Sequence, residues 1–209
     1  MRLTWSITAL AAGLFIPLFV TRGIAWIDFW WWMSANIVIL LILVAVLDKD
    51  WRAEVLGDFK NQLPFKIGFG LISAAFLYGV FYAGDIVSRQ LFSFAGNGIE
   101  KVYAFKNDVS PIRITLLMAL IIGPGEELFW RGFLQRRLQV EHGPWCGFFI
   151  SSAIYGIVHI GSGNLMLILA ACVCGFFWGL LYLRTHSLLL NVVSHTVWDL
   201  SIFLLFPVG

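Results

Sequence analysis

Apolar residues in this chain run nearly unbroken for about twenty positions at a time and are separated by short polar clusters. A helix of roughly 20 apolar residues crosses the hydrocarbon core of a bilayer. Seven such runs are present: Leu3 to Val20, Trp26 to Leu47, Phe65 to Ala83, Ile112 to Leu134, Trp145 to Ile160, Leu165 to Leu183 and Leu188 to Pro207. The pattern predicts an all-α, polytopic membrane protein with about seven transmembrane helices. Between the third and fourth runs, Val87, Leu91, Phe94, Ala95, Ile99, Val102 and Tyr103 recur at helical spacing. Asp85 to Asp108 is therefore expected to hold an amphipathic helix lying in the interface, as a connector rather than a gate. The stretch DKDWRAEVLGDFKN, Asp48 to Asn61, mixes both charge signs and is expected to be a cytoplasmic loop.

Composition supports the membrane assignment. Of 209 residues, 60% are hydrophobic and 12% charged, against about a quarter charged in soluble domains, and mean hydropathy is +0.86. Arg2 before an apolar core resembles a signal peptide, but in a polytopic chain an uncleaved first span serves equally well. Trp30, Trp31 and Trp32 suit an interfacial aromatic belt. Basic residues divide nine (Arg2, Lys49, Arg52, Lys60, Lys66, Arg131, Arg136, Arg137, Arg184) against five (Arg22, Arg89, Lys101, Lys106, Arg113). The richer side is expected to be cytoplasmic, with the N-terminus in and the plasma membrane as location. A net charge of +2 without a basic stripe gives no sign of nucleic acid. Cys146, Cys172 and Cys174 read as small apolar residues, and Ala171, Gly175 and Gly179 form a small-residue face for close helix packing.

Ionisable groups deep in a membrane are costly, so each is a functional candidate. Glu126, Glu127, His159, His195 and Asp199 qualify, all in the C-terminal half. The chain accordingly divides into N-terminal helices, 1–110, and a catalytic helical core, 111–209. At about 1.5 Å per helical residue, Glu126 lies about 15 Å from Arg136 and His195 about 13 Å from His186, so the two meet near the midplane. His159 lies on a neighbouring span before the loop Gly161 to Asn164. Glu127 and Arg131 share a helix face, as do His195 and Asp199, whereas Glu126 is turned about 100° from Glu127. Glu127 and Arg131 are expected to form a structural ion pair that leaves Glu126 facing a cavity. Gly123-Pro124-Gly125 is expected to loosen or kink the helix just before them.

A carboxylate beside imidazoles can deprotonate a water that attacks a peptide carbonyl. The same donors, Glu126, His159, His195 and Asp199, can surround a zinc ion, although the HExxH spacing of common zinc proteases is absent. A non-catalytic membrane immunity or binding protein and a proton-coupled transporter are the competing readings.

Glu126-Glu127-xxx-Arg131, Tyr155-xxx-His159 and His195-xxx-Asp199 resemble, in order and on separate predicted spans, the EExxxR, FxxxH and HxxxN/D motifs of the CAAX-protease and bacteriocin-processing (CPBP, or Abi) family. The resemblance spans about Ile112 to Leu204. It implies an intramembrane endopeptidase acting on a membrane-associated protein or peptide. Its best-known members cut prenylated CAAX proteins, and others are linked to bacteriocin maturation, self-immunity or C-terminal sorting tags. By the same resemblance, Glu126 activates water with His159, His195 and Asp199 stabilise the transition state, and Glu127, Arg131 and Tyr155 support them. The family has been described as glutamate-dependent and as metal-dependent, so a divalent metal remains one of its readings. Two positions depart from the pattern. Tyr155 replaces Phe and brings a hydroxyl, and Asp199 replaces the more usual Asn, where an ionised carboxylate would repel an oxyanion.

Overall fold

In the computed structural model, which describes residues 1–208, the chain is a bundle of helices with one short hairpin. Among the described residues, six helices are long and apolar enough to cross a membrane. They are α1 (Arg2–Thr21), α2 (Phe29–Leu47), α4 (Leu63–Leu91), α9 (Pro144–Val158, extended by a 3-10 turn His159–Ser162), α10 (Leu165–Thr185) and α11 (Leu188–Leu200, extended by a π turn Ser201–Leu205). The fourth predicted run is helical but is not one regular span. Pro111 to His142 is α6 (Pro111–Leu117), α7 (Gly123–Phe129) and α8 (Arg136–His142), joined by π turns Met118–Ile122 and Trp130–Gln135. Pro124 has no N–H to give the carbonyl four residues back, and Gly123 N–H bonds Met118 O, five back, so the helix widens instead of breaking.

Two connections differ from expectation. Asp48 to Asn61 is mostly helix α3 (Lys49–Asp58), because Asp48 caps it by accepting the Trp51 amide at 3.0 Å. Asp85 to Leu91 continues α4, and only α5 (Ala95–Tyr103) with the turn Ala104–Lys106 remains as the separate short helix. A two-strand hairpin, β1 (Gly23–Ile24) and β2 (Ile27–Asp28), links α1 to α2.

Chain direction gives the bundle two ends. One carries the start of α1, then α3, Gly143 and the His186–Ser187 link, and is called here the α3 face. The other carries the hairpin, α5, the turn after α9 and the end of α11, and is called the α5 face. The small-residue side of α10 lies on α9: side chains at Gly175 and Gly179 would stand 3.0 Å from Tyr155 and 2.7 Å from Ser152. Gly123 likewise admits α11, with Thr196 Oγ1 only 2.6 Å from where a Cβ would be.

Candidate active site

The polar side chains of the C-terminal half converge between α7, α9, α10 and α11, and their arrangement separates the two adjacent glutamates. α7 is held between two π turns, a rare form that re-aims successive side chains and recurs at functional sites. On it, Glu127 is fully buried and saturated. Its Oε1 accepts from Arg131 Nη1 at 2.9 Å and lies 2.7 Å from His195 Nδ1, and its Oε2 accepts from Asn191 Nδ2 at 3.0 Å. Arg131 also donates to Gly175 O at 3.2 Å and stacks over the Tyr155 ring at 4.8 Å, which ties α7 to α9 and α10. Arg131 therefore lies inside the bundle and leaves the count of loop charges at eight against five.

Glu126 has a different environment. It lines a cavity of about 130 Å³ together with Tyr155, His159, Cys174, His195 and Asp199. At roughly 30 Å³ per molecule such a space holds a few waters. Tyr155 O–H donates to Glu126 Oε2 at 2.7 Å, so the hydroxyl by which Tyr155 departs from phenylalanine is bonded to that carboxylate. His195 Nε2 stands 4.0 Å from the same oxygen and 3.5 Å from Asp199 Oδ2. The first gap is too long for a direct hydrogen bond and suits a bridging water.

Both imidazoles have one nitrogen engaged. His159 Nδ1 is 2.7 Å from Tyr155 O, and since a carbonyl only accepts, Nδ1 carries the proton and Nε2 keeps its lone pair. His195 Nδ1 faces the Glu127 carboxylate in the same manner, and its ring lies 3.6 Å from that of Trp178 at 19°, a stacked pair. Trp178 N–H donates to Ser194 Oγ at 3.1 Å and Trp178 O accepts from Asn191, so α11 grips the indole on which His195 rests. Among the described residues no group of three or more His, Cys, Asp or Glu side chains is placed to hold a metal ion. The side chains as arranged do not fit zinc.

Asn191, Trp178 and Ser194 escaped the sequence reading. Asn191 was accessible to it, since Asn191, His195 and Asp199 follow at intervals of four on one helix face. Trp178 gave no signal, because a tryptophan in an apolar span is ordinarily core. Phe19, Trp30 and Met33 of the first two helices also line the cavity.

The cavity opens toward the α5 face. Phe29 and Trp30 at the start of α2, Val102 and Phe105 around α5, and Phe203 at the end of α11 line it, and nothing from α3, α8 or the His186–Ser187 link does. α5 and its turn are tied across this mouth: Trp30 Nε1 donates to Phe105 O at 2.8 Å, and Tyr103 O–H and Lys106 Nζ donate to Ile202 O and Phe203 O, carbonyls in the π turn that ends α11. Beneath the site, Trp51 Nε1 donates to Leu128 O at 3.0 Å, and Arg131 and Gln135 fill the space.

Comparison with known proteins agrees with the motifs. Residues 108–201 match the family model described as Rce1-like, Type II CAAX prenyl endopeptidase Rce1-like, so the resemblance to CPBP proteins is borne out over that segment. The chain is also similar to the Bacillus subtilis (strain 168) protein named "Putative membrane peptidase YdiL", with 24% identity over 167 residues. That match covers 79% of this chain and 66% of the relative, so the chain spans just under two-thirds of the relative's length. No solved structure matches the chain.

Proposed function

We propose that this chain, whose 108–201 segment matches the Rce1-like CAAX prenyl endopeptidases, is an intramembrane endopeptidase that hydrolyses a peptide bond of a membrane-associated protein or peptide. The observation that carries the reading is the pairing of a saturated Glu127 with a cavity-facing Glu126, within one water of His195. Glu126 takes a proton from a water in the cavity as the water oxygen adds to the scissile carbonyl, and then delivers that proton to the leaving amide nitrogen as the C–N bond breaks. Tyr155 fixes one carboxylate oxygen, and His159 Nε2 accepts the water's second hydrogen and orients its lone pair. His195, held by Glu127 and Trp178, presents Nε2 to the cavity. In its charged form it offers a second N–H to the oxyanion, with Asp199 beside it balancing the imidazolium.

The scissile bond meets this site on the α5 side of the bundle, toward which the cavity opens. Eight loop basic residues lie toward the α3 face and five toward the α5 face. The positive-inside rule then makes the α5 face the non-cytoplasmic one, with the N-terminus inside. A binder or immunity protein has no use for a buried, cavity-facing carboxylate beside two imidazoles.

The test is Glu126→Gln, assayed on reconstituted protein with quenched fluorescent peptides. Loss of a general base lowers kcat by about 10²- to 10⁴-fold while the protein stays folded. Unchanged cleavage by Glu126→Gln would overturn the assignment.

A further inference from the structure

A second cavity, about 400 Å³ and mostly apolar, lies between α4, α5, α10 and α11. It shares Val102, Leu167, Ala170, Trp198 and Phe203 with the cavity that holds Glu126, so the two adjoin across these side chains. Its outer rim includes Val80 of α4 and Leu169 and Val173 of α10, each exposed on an apolar span and hence turned toward lipid. Asp85, the carboxylate side chain at the rim among the described residues, is engaged by Arg89 at 2.7 Å.

Trp198 stands at the partition. It is only 8% exposed, and its indole N–H has no hydrogen-bond partner among the described residues, whereas a buried indole N–H ordinarily finds one. Phe81 and Trp178 pack edge-on against its ring at 4.7 and 5.4 Å and hold it in place. A hydrocarbon chain drawn past it would leave this donor unsatisfied. A polypeptide brings a carbonyl with every residue, and an extended one has no internal bonds to occupy those carbonyls.

We infer that an extended apolar peptide segment of the substrate occupies this groove, entering from the bilayer between α4 and α10 and passing Trp198 into the catalytic cavity, with a backbone carbonyl accepting from Trp198 Nε1. The inference rests on the proteolytic reading of the Glu126 site and adds the substrate class: a membrane-inserted polypeptide whose apolar stretch adjoins the scissile bond.

The test measures occupancy without cleavage. The Glu126→Gln protein in liposomes is irradiated with a Leu/Ala peptide of roughly 20 residues, long enough to span, that carries a diazirine leucine. A diazirine-bearing palmitic acid serves as the hydrocarbon probe, and adducts are mapped by mass spectrometry. Peptide adducts are expected on residues 80–88 and 166–173. Adding Gly84→Leu, at a groove position where a new Cβ meets nothing within 4 Å, fills the space and lowers that labelling about tenfold. Trp198→Phe, which keeps the ring and removes the donor, lowers it as well. Peptide adducts spread evenly over all lipid-facing helices, or unchanged by Gly84→Leu, would overturn the inference. So would palmitate labelling the groove while the peptide is excluded, which would make it a hydrocarbon site. None of these outcomes bears on whether Glu126 is the base.

Discussion

Three donors from two helices converge on the two oxygens of Glu127, whereas Glu126 receives a single hydrogen bond, from Tyr155. The adjacent residues therefore fail in different ways. Glu127→Gln removes the charge that balances a buried Arg131 and places an amide donor among donors, at a cost of about 3–5 kcal/mol. Thermal unfolding in detergent is expected to show a marked loss for Glu127→Gln and little for Glu126→Gln. Any folded Glu127→Gln protein should also turn over more slowly, because His195 loses its orienting partner. Equal stability of the two variants would sink this division of roles. The sequence shows part of it: the spacing of four between Glu127 and Arg131 indicates a shared face, but the contact with His195 crosses 68 positions and depends on how α11 packs on α7.

Elements show the same division between local and distant causes. Long apolar runs specify spans because every backbone polar group in hydrocarbon must be bonded within its own helix. The π turns on either side of α7 are less legible: Pro124 marks a disturbance, but whether the ladder breaks, kinks or widens is decided by the helices that surround it. The expected loop after α2 is a helix because its cap, Asp48, is itself held by arginines of α8. Close approach of elements predicts its own failure. A side chain at Gly147, the second turn of α9, would come within 2.6 Å of Leu138 C in the α8 backbone, which cannot swing aside. Gly147→Ala should cost at least about 1–3 kcal/mol by overpacking and lower the unfolding temperature. An unchanged unfolding temperature would show that α8 and α9 separate easily.

At the scale of the whole molecule, the α3 face is fastened by charge and the α5 face holds the opening. Asp48 is nearly buried and accepts from the Trp51 amide, Arg136 at 2.6 Å and Arg137 at 3.0 Å. Burial alone would raise its pKa, but the Trp51 amide and the two guanidiniums outweigh it and hold the carboxyl below its ordinary 3.8. A folded-state pKa below the unfolded one means that the stabilisation is fully present above about pH 4 and is lost as pH falls through the folded value. Asp48→Asn should thus be less stable than the unaltered chain by about 2 kcal/mol at neutral pH, with the gap closing in acid. A gap independent of pH would rule out this linkage. Orientation is checked by thiol labelling in a Cys146→Ala background. Asn107→Cys, beyond α5, is expected to react with an impermeant maleimide from outside intact cells, and Asn61→Cys, beyond α3, only after permeabilisation. The reverse pattern would place the opening in the cytoplasm.

The sequence by itself determined the solvent, the helical class, most of the spans and the identity of the polar residues, because burial in hydrocarbon leaves few tolerated patterns and makes each ionisable group conspicuous. It also carried the family motifs, whose order survives without knowledge of the fold. Tertiary structure alone decided which glutamate is saturated and which faces the cavity, which nitrogen of each histidine is engaged, and that Trp178 supports His195. It also decided that the cavity opens toward the α5 face and adjoins an apolar groove. These properties belong to pairs of residues far apart in the chain, and their spacing is set by how helices pack rather than by any local preference.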